Sequence, residues 1–188
     1  MTRALTPDFL GLTLTSKDLV FVVDVSGSVG AGAIDATRRA LERAVDRLGS
    51  DARFTALFFA EEVSVFRPTM VPATPRAKED LHLFLRGLAP GRKSDVYTPV
   101  NAGLELVRKR IAEKQLAGEP IREAVTLIVV SDGRDNVSKT PPQVIAERLE
   151  RLDLKHAVVH ALVLGGVDHP FMRALAERTG GHYLPVPR

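Results

Sequence analysis

The 188-residue sequence predicts an α/β fold, a doubly wound and mostly parallel open sheet with one short antiparallel edge strand and helices on both faces. Three observations lead there. Leu19–Val23 and Val125–Val130 are unbroken runs rich in apolar and β-branched residues, the mark of parallel strands buried on both sides. Segments with apolar residues at helical spacing alternate with such strands along nearly the whole chain, which implies right-handed crossovers into one layered sheet. The composition, 45% hydrophobic and 26% charged, is that of a globular domain with a full core.

Each element has its own signal. After Leu19–Val23, the recurrence of Ile34, Leu41, Val45 and Leu48 predicts a helix over Ala33–Leu48, closed by Gly49-Ser50. Arg53–Ala60 reads as a second strand, Glu61-Glu62 as a turn and Val63–Phe66 as the antiparallel edge. Thr74-Pro75 suits the N-cap and N1 positions of a helix to Leu88 that turns Leu81, Phe84, Leu85 and Leu88 inward. A loop over Ala89–Tyr97 leads to a helix over Pro99–Gln115, with Val100, Leu104, Val107 and Ile111 on one face. Beyond Val125–Val130 come helix Pro142–Leu152, strand Ala157–Leu164, helix Asp168–Thr179 and a short strand near Tyr183. A single domain over residues 1–188 is expected, with its core at 18–184 and residues 1–17 as an N-terminal extension.

The charge balance, 26 Lys+Arg against 23 Asp+Glu, is mildly basic and spread along the chain, so no nucleic-acid arm is expected. With no cysteine there is no disulfide, thiolate metal site or cysteine nucleophile, and oxygen chemistry remains. Met1–Ser16 lacks the apolar stretch of a signal peptide, and no segment nears the roughly 20 apolar residues of a membrane span. Membrane insertion is not expected, the cytoplasm is slightly favoured without being fixed, and the chain suits a module of a larger protein.

In doubly wound sheets ligands bind beyond the carboxyl ends of the strands, where the strand order reverses. The first long strand ends in Asp24-Val25-Ser26-Gly27-Ser28, and Val125–Val130 ends in Ser131-Asp132-Gly133. Two carboxylates at neighbouring strand ends repel one another and are costly to desolvate unless a cation lies between them. Ser26 and Ser28 add hydroxyl oxygens, and Gly27 lets the chain curl back. Few carboxylates with hydroxyls and water make a hard-oxygen shell suited to Mg²⁺ or Mn²⁺.

Asp24-x-Ser26-x-Ser28 at the end of an apolar strand, followed by a helix and later by Val129-Val130-Ser131-Asp132-Gly133, resembles the metal-ion-dependent adhesion site (MIDAS) of von Willebrand factor A domains. Order and context match over Asp18 to Leu184. The resemblance implies that Asp24, Ser26, Ser28 and Asp132 hold Mg²⁺, with Mn²⁺ or Ca²⁺ as substitutes. It also implies a hydroxyl ligand from the loop before the central helix, where this chain has Gly91-Arg92-Lys93-Ser94-Asp95-Val96-Tyr97-Thr98-Pro99-Val100 in place of the common Gly-Gly-Thr. Alignment on loop length puts Ser94 in the ligand position; alignment on Thr-Pro-Leu puts Thr98 there. Ser94 is preferred because Thr98-Pro99 also reads as N-cap and N1 of the next helix, and both remain open. Val29, where the family often has Met, is a volume-tolerant apolar position.

The function the resemblance implies is non-enzymatic: a protein-binding module for adhesion or assembly, in which an Asp or Glu of a protein ligand completes the metal's coordination. Arg92, Lys93, Tyr97, Arg134 and Lys139 are expected on the rim, where basic groups steer an acidic partner. Two rival readings are a metal-dependent hydrolase and a nucleotide-binding domain. Asp24 with Asp132-Gly-Arg-Asp135-Asn136 superficially resembles haloacid dehalogenase-type phosphatases, but that chemistry needs a second carboxylate where Ser26 stands. Gly27-Ser-Val-Gly30-Ala-Gly32 lacks the dinucleotide spacing and would set Asp24 against a pyrophosphate. His82, His156, His160, His169 and His182 are scattered without ligand spacing.

Overall fold

In the computed structural model, which describes residues 7–134, 140–151, 155–166 and 168–187, the chain opens with a hairpin of β1 (Asp8–Phe9) and β2 (Leu12–Thr13). The main sheet then starts with β3 (Asp18–Asp24), followed by helix α1 (Ala31–Asp46), β4 (Arg53–Phe59) and the short strands β5 (Val63–Val65) and β6 (Val71–Pro72). Helices α2 (Pro75–Gly87) and α3 (Tyr97–Leu116) precede β7 (Val125–Ser131). The chain continues through α4 (Pro142–Arg151), β8 (Ala157–Leu164), α5 (Pro170–Arg178) and β9 (Tyr183–Val186).

The sheet runs β5-β4-β3-β7-β8-β9, with β6 also paired to β4. Strands β4, β3, β7, β8 and β9 are parallel, as the unalternating burial of β3 and β7 requires. Two short strands, not one, run antiparallel at the edge. After the Glu61-Glu62 turn the chain meets β4 twice, through β5 at Leu57–Phe59 and through β6 at Arg53 and Phe54.

Alternation along the strands divides the core between two faces. Phe21 and Val23 pack with Leu41, Val45, Leu81 and Leu85 of α1 and α2. Val20 and Val22 pack with Val100, Leu104, Ile145, Met172 and Leu175 of α3, α4 and α5. Among the described residues no helix is long and apolar enough to cross a membrane.

Helix ends follow local capping chemistry. Thr74 Oγ1 accepts from Ala77 N at 3.2 Å with Pro75 at N1, as the sequence predicts. Helix α3 corrects the reading of Thr98-Pro99 as N-cap and N1. It starts at Tyr97, so Thr98 lies inside the first turn, and Asp95 Oδ1 takes the Thr98 N–H at 3.0 Å. Helix α5 starts at Pro170 rather than Asp168, with His169 Nδ1 accepting from Met172 N at 3.3 Å.

Residues 8–13, read from the sequence as part of an extension, form the β1–β2 hairpin, and Leu10 (φ 53°) and Gly11 (φ 87°) turn it through the left-handed region. Phe9, Leu12 and Leu14 join the α1-side core, where the Phe9 and Phe21 rings form a T-shaped pair at 5.2 Å and 84°.

The topology also places a crevice. From β3 the chain moves first to β4 on one side and later returns to β7 on the other, so strand order reverses between β3 and β7. The register pairs Val23 with Val130, which sets Asp24 beside Ser131 at the carboxyl ends of both strands.

Candidate metal centre

Three loops converge over that crevice. The loop after β3 is held down by Val25 N to Phe59 O at 2.8 Å, and it is bridged to the loop before α3 by Gly91 N to Val25 O at 3.1 Å. Only glycine suits position 91, because a Cβ there would stand 2.3 Å from Ala60 Cβ. The third loop leaves β7 through Asp132 and Gly133.

Asp24 is fully buried at the centre. Its Oδ1 accepts from Ser26 N at 2.8 Å, and its Oδ2 accepts from Ser131 Oγ at 2.7 Å and Ser94 Oγ at 3.2 Å. Burial pushes the Asp24 carboxyl above its usual range, hydrogen bonds from Ser26 and Ser131 pull it back, and the nearby charge of Asp132 pushes it up again. Among the described residues no Lys, Arg or His forms an ion pair with Asp24. An uncompensated buried carboxylate costs several kcal/mol, so this position calls for a cation or a proton.

The neighbouring oxygens are those of a hard-ion shell. Ser26 and Ser94 are fully buried and Asp132 is 2% exposed. Ser26 Oγ and Ser28 Oγ lie 3.1 Å apart. Asp132 Oδ1 accepts from Arg134 N at 3.1 Å, while the exposed Arg134 guanidinium comes to 3.9 Å of Oδ2. Among the described residues no group of three or more His, Asp or Glu side chains is placed to hold a metal. The donors here are instead two carboxylates with three hydroxyls, a set that fits Mg²⁺ or Mn²⁺.

The structure thus brings Asp24, Ser26, Ser28, Ser94 and Asp132 to one crevice and separates Thr98 from Asp24's hydrogen bonds. The Thr98 hydroxyl pairs with Thr140 Oγ1 at 2.9 Å. Arg92 and Lys93 are exposed on the loop before α3, where Glu61 Oε2 accepts the Arg92 N–H at 3.0 Å. That bond holds the Glu61 carboxyl below its usual range. Tyr97 is half-buried and packs edge-on against Phe171 at 4.7 Å, so its ring is less available to a partner than the sequence suggests. Lys139, Asp135 and Asn136 lie outside the described residues. Two participants were missed by sequence reasoning, Ser131 and Asp95. The first stands directly before Asp132, and the second three residues before the N–H it caps.

The family model of the von Willebrand factor type A domain matches residues 18–187. Inter-alpha-trypsin inhibitor heavy chain H3 of Mus musculus is 27% identical over 172 residues, covering 91% of this chain but only 19% of that protein. Among solved structures, a von Willebrand factor type A protein from Catenulispora acidiphila superposes with a TM-score of 0.69 at 16% identity, over 92% of this chain and 39% of that one. Proximal thread matrix protein 1 from the mussel byssus, solved with a zinc-occupied MIDAS motif, gives 0.60 at 16% identity, over 90% and 43%.

Proposed function

The chain belongs to the von Willebrand factor type A domain family, and from that premise we propose that it is a non-enzymatic, metal-dependent protein-binding module within a longer protein. Asp24, Ser26, Ser28, Ser94 and Asp132 would hold Mg²⁺, directly or through water, with Mn²⁺ or Ca²⁺ able to replace it. The bound cation supplies an electrophilic position for a carboxylate. The protein ligand fills that position with an Asp or Glu. The chain's own residues orient the donors, and Arg92, Lys93 and Arg134 lie on loops flanking the crevice.

The observation that carries this reading is Asp24, fully buried, ringed by hydroxyls from separate loops and without a cationic side chain among the described residues. The zinc-occupied motif of the mussel protein supports it by fold alone. Ser94 is favoured over Thr98 as the loop ligand, because its hydroxyl already points at Asp24 and that of Thr98 at Thr140. The relatives are much longer than this chain, which supports a module among others, and they lend no support to a cytoplasmic lean.

Calorimetric titration with Mg²⁺ and Mn²⁺ tests the proposal. Saturable binding is expected in the wild type and its loss in Asp24→Ala. At 100 times the dissociation constant, binding to the folded state alone should stabilise the domain by about 2.7 kcal/mol. Undiminished binding in Asp24→Ala, or none in the wild type, would overturn it.

A further inference from the structure

We propose that Ser131 is the residue that positions both carboxylates of the metal centre and that its hydroxyl is not itself a ligand, an inference that rests on the metal-binding reading above. A serine hydroxyl has one hydrogen to donate and two lone pairs. Ser131 Oγ donates to Asp24 Oδ2 at 2.7 Å and accepts from Gly133 N at 2.9 Å, and both bonds are buried. Its hydrogen is committed to the first carboxylate and a lone pair to the turn that carries the second.

Ser94 differs in the way that matters. Its hydroxyl donates to the same Asp24 oxygen at 3.2 Å and accepts no hydrogen bond among the described residues, so both lone pairs remain for a cation. Two fully buried serines on one carboxylate oxygen therefore take different parts, Ser94 as ligand and Ser131 as the brace behind it.

The turn that Ser131 holds has little freedom of its own. Gly133 has φ 76°, and a Cβ there would meet the His169 ring at 2.1 Å. With the Gly133 N–H tied to Ser131, the peptide after Asp132 is fixed on both sides, and the Asp132 side chain starts from a set backbone. Without the Ser131 oxygen, Asp24 Oδ2 keeps only the longer bond from Ser94, and a buried N–H at Gly133 loses its acceptor. The spacing of the two carboxylates would then relax. Groups that orient metal ligands in this manner typically change affinity by roughly 10–100-fold when removed.

The test compares Ser131→Thr with Ser131→Val, which share a shape and differ by a hydroxyl against a methyl, and adds Ser131→Ala, which adds no bulk. Folding is checked by circular dichroism, and Mn²⁺ binding is read by the electron paramagnetic resonance signal of the free ion. Ser131→Thr should bind like the wild type, while Ser131→Val and Ser131→Ala should bind roughly 10–100-fold more weakly. Rescue by threonine is the outcome a purely structural role would not give. Wild-type affinity in Ser131→Ala, or equal weakening in Ser131→Thr and Ser131→Val, would overturn the assignment. A wild-type chain that takes up no Mn²⁺ overturns the metal reading itself, before any variant is compared.

Discussion

Replacing Phe9 with alanine should destabilise the whole domain, although Phe9 lies outside the residues that the family model matches. Its side chain is fully buried, its ring forms an edge-to-face pair with Phe21 at 5.2 Å, and Phe21 belongs to the central strand β3. Removing a buried phenylalanine costs about 3–5 kcal/mol through lost transfer energy and the cavity left behind. The edge-to-face pair accounts for about 0.5–1.5 kcal/mol of the interaction beyond burial. In a chain of this length each kcal/mol lowers the melting midpoint by about 2–4 °C, so Phe9→Ala should fall by roughly 6–20 °C. Thermal unfolding followed by circular dichroism reads this directly. Asp8→Ala is the control: Asp8 is exposed and its side chain accepts a long 3.3 Å bond from Gly11 N, so its change should stay within about 0.5 kcal/mol. If Phe9→Ala melted with the control, the hairpin would be an ornament and the domain would begin at β3.

Three further outcomes follow from the site and its surroundings. Ser94→Ala should weaken Mn²⁺ binding more than Thr98→Ala, with both measured by calorimetry, because the Thr98 hydroxyl is engaged by Thr140; the reverse order would move the loop ligand to Thr98. Burial, with the charge of His182 second, pushes His160 down to about 4. Its contribution to stability is complete above the unfolded histidine value of about 6.5 and is lost as pH falls through the folded value. A scan of melting midpoints over that window should therefore show a shallower fall in His160→Gln, and identical slopes would refute the assignment. Charge reversal at Arg92 and Lys93 should slow association with an acidic protein partner far more than it speeds dissociation, as surface-plasmon kinetics at two salt concentrations would show. An unchanged association rate would return both side chains to the solvent.

How much of this was legible depends on what each signal encodes. Strands β3 and β7 announce themselves because burial on both faces leaves no place for alternation, and Asp24 and Asp132 stand out as the first charges after those runs. The β1–β2 hairpin was illegible for a physical reason. Its strands are two residues each, too short for any period, and its turn uses Leu10 in the left-handed region where asparagine or glycine is usual. The start of α3 misled because Thr98-Pro99 satisfies the local rule for a helix entry, while the Thr98 N–H is taken by Asp95, whose place is set by the loop's docking through Asp95 N to Ala60 O at 3.0 Å. The choice between Ser94 and Thr98 likewise could not be made from spacing. Which hydroxyl faces Asp24 is set by packing across segments distant in sequence, which turns Ser94 to Asp24 and Thr98 to Thr140.

That distance has a consequence for how the molecule comes into being. Asp24 draws its hydrogen bonds from residues 2, 70 and 107 positions along the chain. No helix, hairpin or single βαβ unit contains the whole set, and long-range contacts of this kind form late because loop closure must precede them. A chain emerging from the ribosome therefore has no such centre until β7 has docked beside β3. On the metal-binding proposal, whatever the crevice recognises is withheld from every form in which β7 has not yet docked, so competence to bind and the pairing of β7 with β3 become one event, ahead of β8 and β9.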